Sequence, residues 1–150
     1  MKKLFVFMAG SFLSACGDSD APKDYLKIAG GGLVFNYRVS QASMIVIAQQ
    51  VYPLPVGSIV EAQFDLPGTN TRQVVTLPAM EGKLTYKLQS DPLTNIKKGG
   101  KYNVTIRLLD TSGVQLDQHD RAFESDVDQS TLPSKPLVEG LEFKPHLENL

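Results

Sequence analysis

In successive segments between residues 33 and 124 apolar side chains recur at every second position, and no stretch of ten or more residues carries the 3.6-residue period of an amphipathic helix. Successive side chains of a strand point to opposite faces, so the pattern commits the chain to strands with one buried side. Leu33, Phe35, Tyr37 and Val39 alternate with Val34, Asn36 and Arg38 and predict a first strand. Met44 to Ala48 is a continuous apolar run, the pattern of a central strand. Val60, Ala62 and Phe64 alternate with Glu61 and Gln63, and after the turn cluster "LPGTNT" residues 71–77 form a shorter candidate strand. Leu84, Tyr86 and Leu88 then alternate with Lys83, Thr85 and Lys87.

The clearest alternation lies within residues 93–124. Tyr102, Val104, Ile106 and Leu108 share one face, and "DTSG" closes a hairpin onto Val114 and Leu116. Ile96 precedes Tyr102 by six residues with glycines between. This spacing resembles the Leu-x-Pro-x-x-x-Tyr corner of fibronectin III and immunoglobulin-like sandwiches, with Lys98 at the proline position. The expected fold is all-β: an antiparallel, two-sheet, immunoglobulin-like or fibronectin III-like sandwich of about seven strands over residues 33–125, followed by an extended C-terminal tail at 126–150. In the last strand the alternation slips around Gln118 to Arg121, which predicts a bulge or an exposed edge. The tail carries Pro133, Pro136 and Pro145, yet Leu132, Leu137, Val138, Leu141 and Phe143 are costly to leave wet, so part of it should dock.

Upstream of this body, Lys2 and Lys3 precede twelve uncharged residues, Leu4 to Ala15, that end in small side chains. At about 1.5 Å per residue such a helix covers ~18 Å, short of the ~30 Å hydrocarbon core, so residues 1–15 read as a removable secretory signal. The sole cysteine follows at Cys16, and an isolated thiol there could be catalytic, a metal ligand, buried or modified. Leu13-Ser14-Ala15-Cys16 resembles the lipobox of bacterial lipoproteins. The resemblance implies cleavage between Ala15 and Cys16, a thioether to diacylglycerol and acylation of the new amino group. One acyl chain holds a protein only marginally at ~0.8 kcal/mol per CH₂, whereas two or more anchor it. In many such lipoproteins Asp after the cysteine implies retention in the inner membrane, so with Gly17 the resemblance implies the outer membrane in preference to the inner, the protein facing the periplasm of a bacterial envelope. Residues 16–32, polar with Pro22 and closing on three glycines, read as the lipidated residue and a flexible tether.

Loss of residues 1–15 removes two lysines and leaves 13 basic against 16 acidic residues, so no basic field exists to grip nucleic acid. With one cysteine no intrachain disulfide can form, and the fold must rest on packing. "AGGG" lacks the Lys-Ser/Thr of a phosphate loop. His119 and His146 have no His or Cys at zinc-ligand spacing and read as surface residues. Asp126, Asp128 and Ser130 open like a calcium loop, but Thr131 and Leu137 stand where glycine and glutamate are needed. Glu61 and Glu81 read as exposed charges, "KKGGK" at 97–101 as a solvated turn, and nothing frames a nucleophile. No cofactor and no enzymatic activity are expected.

A longer similarity runs through residues 53–125. Leu54-Pro55-Val56-Gly57, Asp91-Pro92 and Ile96 to Tyr102 resemble the Leu-Pro-Pro-x-Ala start, the Asp-Pro strand end and the Ile-x-Pro-x-x-x-Tyr turn of small YbaY-type lipoproteins related to type III secretion pilotins. The resemblance implies a non-enzymatic accessory that binds or escorts another envelope protein. Leu116, His119, Arg121 and Phe123 of the irregular last strand, with Leu137 and Phe143 of the tail, form the candidate partner surface. The alternative is a glycan- or metal-binding module built on strand-end loops.

Overall fold

A computed structural model describes residues 24–138. The expected signal at 1–15, Cys16, Phe143 and His146 lie outside these residues. Seven strands, β1 (Leu26–Asn36), β2 (Gln41–Gln50), β3 (Ile59–Asp65), β4 (Arg72–Pro78), β5 (Thr85–Gln89), β6 (Lys101–Leu109) and β7 (Gln115–Glu124), form two antiparallel sheets. One has the order β1-β2-β5 and the other β4-β3-β6-β7. The fourth strand joins the sheet of the third, as in fibronectin III, rather than the first sheet as in constant-type immunoglobulin domains.

The alternation fills the space between the sheets. Met44, Val46 and Ala48 of β2 and Tyr86 and Leu88 of β5 face Val60, Ala62 and Phe64 of β3 and Val104, Ile106 and Leu108 of β6, all buried. Full burial of each large side chain contributes ~1.5–3 kcal/mol, which offsets the conformational entropy lost on folding. β2 is the central strand of its sheet, as its unbroken apolar run predicts.

The corner before β6 forms as its spacing predicts. The Lys97 N–H donates to the Tyr102 hydroxyl at 2.8 Å. A Cβ on Gly100 would stand 2.5 Å from that hydroxyl, so only glycine lets the ring close over the turn. The turn needs no proline at Lys98, because Gly99, at φ +74°, takes the left-handed third position while Gly100 N–H bonds Lys97 C=O at 2.9 Å. Hydrogen bonds from Gly99 to Ser125 and from Ser125 to Gly100 join the corner to the end of β7.

The flexible tether expected over 16–32 does not extend through its last seven residues, because β1 begins at Leu26 and the glycine run is part of it. Gly31 pairs with Val46, and the Phe123 ring of β7 lies 2.7 Å from where a Gly31 Cβ would stand. The glycines admit an aromatic ring against the strand backbone. At its other end β1 stops at Asn36 instead of continuing to Val39; Tyr37 to Ser40 turn, with Ser40 at φ +54°. Leu84, expected to point inward, sits in the connection before β5 and is exposed, as is Val114 in the β6–β7 turn.

The described part of the tail docks. After a 3₁₀ turn at Gln129–Thr131, whose Gln129 N–H reaches Ile96 C=O at 2.9 Å, Leu132 packs on the core. Ser40 Oγ donates to Pro133 C=O, and the N–H groups of Leu137 and Val138 donate to Arg38 C=O at 2.8 and 3.3 Å.

Candidate functional site

Strand β7 forms one edge of the larger sheet, beside β1 of the other. Asp117, His119, Arg121 and Phe123 pair with Leu108, Ile106, Val104 and Tyr102, whose side chains point into the core, so these four occupy inward positions. Three of the four are polar, which is why the sequence alternation slips there. They can be polar because they face the margin between the sheets. The Leu26 N–H donates to Asp117 Oδ2 at 2.9 Å, and His119 Nε2 stands 3.0 and 3.1 Å from the two Asp117 oxygens. The Arg121 guanidinium lies 5.4 Å from the centre of the Phe123 ring. A bulge does occur in β7, but at Leu116, which is left unpaired between Gln115 and Asp117. Inward charges on an edge strand also keep it from templating another chain.

Asp24, just before β1, completes a cluster with Asp117 and His119 in which one potential ligand atom from each lies within 4.8 Å of the others. Among the described residues this is where a divalent cation would be held, with two oxygens and one nitrogen. A closed zinc site wants four N or S donors. Both Asp117 oxygens already accept backbone N–H groups, from Leu26 and Gln118, which makes this carboxylate a tie between β1 and β7. Sequence spacing did not expose the cluster because Asp24 is remote from β7; the signal in reach was the i, i+2 placement of Asp117 and His119 on one face of a strand.

The outer face of the larger sheet carries a hydrogen-bond network across all four strands. Arg72 of β4 bonds Asp65 at 2.8 Å and Thr105 at 3.1 Å, and Thr105 in turn donates to Asp120 at 2.5 Å. Hydrogen bonds from Thr105 and Gln118, with smaller contributions from the charges of Arg72 and His119, outweigh the small opposing effect of burial and hold the Asp120 carboxyl below its ordinary range. Glu61, expected to be exposed, is only 7 % accessible. The Arg107 guanidinium binds it through Nε at 2.9 Å and Nη2 at 2.5 Å, and Gln63 donates to it at 2.8 Å. Its neighbours on β6 and β3 cover it, an arrangement that alternation within one strand does not encode.

Two further predicted features have defined roles. Asp128 caps the 3₁₀ turn, accepting from the Ser130 N–H and hydroxyl, which lower its pKa, and Lys97 stands 3.9 Å away. That is the post-strand turn the incomplete calcium pattern implies. The β3–β4 turn forms a polar hollow of 370 Å³ lined by residues including Thr69, Asn70, Arg72 and Lys101.

The candidate partner residues divide between places. Phe123 is buried and Leu116 packs partly against the core; His119 is tied to Asp117 and Arg121 is exposed. Leu137 is exposed at the β1–β2 turn, at the opposite end of the sandwich from Leu116.

No protein-family model matches the chain, and no curated protein matches it. Among solved structures it is similar to wild-type OgpA from Akkermansia muciniphila, at 12 % identity and a TM-score of 0.45. The alignment covers 71 % of this chain and 29 % of that one, so this chain spans less than a third of that protein.

Proposed function

We propose that the chain is a lipid-anchored, non-enzymatic binding protein of the bacterial cell envelope, facing the periplasm, that assists or escorts another envelope protein in the manner of a pilotin-like accessory. The observation that carries this reading is Leu13-Ser14-Ala15-Cys16 at the end of a basic and then apolar leader. The sandwich supports it, since a rigid β-body presents side chains to a partner without a reaction centre. Arg121 on β7 and Leu137 on the docked tail are the exposed members of the candidate surface.

Labelling of cells with a palmitate analogue tests the anchor. The wild-type chain should take up label and sediment with membranes, while Cys16→Ser should do neither; label retained by Cys16→Ser refutes the reading. Purification from detergent-solubilised membranes tests the partner, which should be stoichiometric and weakened by Arg121→Glu or Leu137→Ser.

The Asp24, Asp117 and His119 cluster favours a second reading, a metal-binding module. Thermal stabilisation by a divalent cation that disappears in Asp24→Asn, without any co-purifying protein, would replace the first reading by the second.

A further inference from the structure

In a sandwich of seven antiparallel strands the connections alternate between two ends. The chain enters β1 at the end formed by the β2–β3 loop (51–58), the β4–β5 loop (79–84) and the β6–β7 turn (110–114). Hydrogen bonds fix these elements to one another. The N–H groups of Val51 and Tyr52 donate to Tyr25 C=O at 2.7 and 3.3 Å, Gln50 N–H to Leu84 C=O at 2.8 Å, and Ala79 N–H to Ser58 C=O at 2.9 Å. A Cβ on Gly57 would stand 2.6 Å from the Thr111 methyl, so the β6–β7 turn abuts the β2–β3 loop.

This end is apolar where loops are ordinarily polar. The β2–β3 loop, "VYPLPVGS", contains no charged residue. Val56 at its tip is 99 % exposed, and Val51, Tyr52, Met80, Leu84 and Val114 around it are each about half exposed or more. Val56 is held outward by a tight turn. Ser58 N–H and Oγ both donate to Pro55 C=O, at 3.1 and 2.7 Å, and Gly57 takes φ +78°, the left-handed third position that such a turn requires. The opposite end carries Arg38, Asp91, Lys97, Lys98, Asp126 and Lys135 in its connections.

We infer that this end of the sandwich seats on the surface of the bilayer that holds the lipid on Cys16, with Val56 at the depth of the headgroup and acyl boundary. The inference rests on the reading of Cys16 as the anchor. The occupant follows from where the chain enters. Nine residues lie between Cys16 and Leu26, a span of at most ~35 Å over ten fully extended steps, and they lead to the apolar end and not to the charged one. Exposed apolar side chains with an amphipathic tyrosine among them match a membrane interface. Asp24, Glu81, Lys83 and Asp110 are the charged groups in the surrounding loops, so no basic field is present and attraction to anionic lipid is not the driving force.

The chain contains no tryptophan and a single cysteine, which makes the test clean. The mature chain, residues 16–150, is coupled through Cys16 to maleimide lipid in vesicles of phosphatidylethanolamine and phosphatidylglycerol. One variant carries Val56→Trp and another Leu137→Trp at the opposite end. Val56→Trp emission should shift to shorter wavelength on coupling, be quenched by brominated acyl chains and persist in raised salt. Leu137→Trp should emit as it does in the free chain. Solvent-like emission from Val56→Trp on vesicles, equal quenching at both ends, or quenching at Leu137→Trp alone overturns the inference. Solvent-like emission at Val56→Trp would instead leave the apolar end to a protein partner. Val56 packs on nothing, and far-UV circular dichroism of each variant checks the fold. Because the coupling is chemical, a negative result counts against the apolar end, while the cellular labelling of Cys16 decides the anchor separately.

Discussion

Three adjacent glycines in β1 should respond to the same substitution in three different ways. A Cβ on Gly30 meets nothing within 4 Å, and Gly30 is not at positive φ. Gly30→Ala should therefore be neutral or stabilising by ~0.5–1 kcal/mol, since alanine loses less backbone entropy than glycine in a strand. Gly32 also faces open space but sits at φ +155°, where an L side chain is strained, so Gly32→Ala should cost ~1–2 kcal/mol. Gly31 combines φ +152° with a clash against both the Phe123 ring and the Ile45 carbonyl oxygen of the paired strand. Strain of ~1–3 kcal/mol and overpacking of ~1–3 kcal/mol, less the entropy gain of ~0.5–1 kcal/mol, give about 1–5 kcal/mol for Gly31→Ala. Against a typical domain stability of ~5–15 kcal/mol this is a large loss. Phe123→Leu should relieve part of it, and a double-mutant cycle would show coupling between the two sites. Urea unfolding of residues 16–150, followed by far-UV circular dichroism, reads the series. Equal and small effects at all three glycines, as a tether would give, refute the placement of the run within a packed strand.

Other parts of the domain are open to equally direct tests. Tyr102→Phe removes the acceptor of the Lys97 N–H and should cost ~1–2 kcal/mol in the same unfolding assay; no loss would mean the corner does not depend on that bond. Glu61→Ala should cost about 1–3 kcal/mol, less than the ~3–5 kcal/mol of a fully buried pair because Arg107 keeps access to water, and adding Arg107→Ala should recover part of the loss. The Asp120 carboxyl has a lowered pKa in the folded state, so its stabilising contribution is complete above the ordinary value of ~3.9 and fades as pH falls through the lowered one. Asp120→Asn should flatten that part of the acid limb in melting curves recorded against pH, and an unchanged limb would rule out this residue as its source.

The strands were legible because burial on one face writes itself as a period of two. Val60, Ala62 and Phe64, and Tyr102 to Leu108, stand where alternation alone puts them. The tyrosine corner was legible as well, since its hydrogen bond closes within a few residues. What sequence could not convey depends on partners distant along the chain. The glycine run reads as a tether until Phe123 is laid across Gly31. Asp117, His119 and Arg121 look like a lapse in pattern until β1 is placed beside them and Asp117 caps the Leu26 N–H. Glu61 looks exposed until Arg107 arrives from another strand to cover it.

The tie between Leu26 and Asp117 joins residues 91 positions apart. Loop closure over such a distance comes late in folding, because its entropy must be overcome before the contact rewards it. The margin between the sheets cannot close until nearly the whole domain, through β7, is available to fold. A chain whose first and last strands meet only at the end stays open while its earlier strands collect. On the reading proposed above, in which a leader carries the chain across a membrane, that order of events would leave the fold to be completed on the far side.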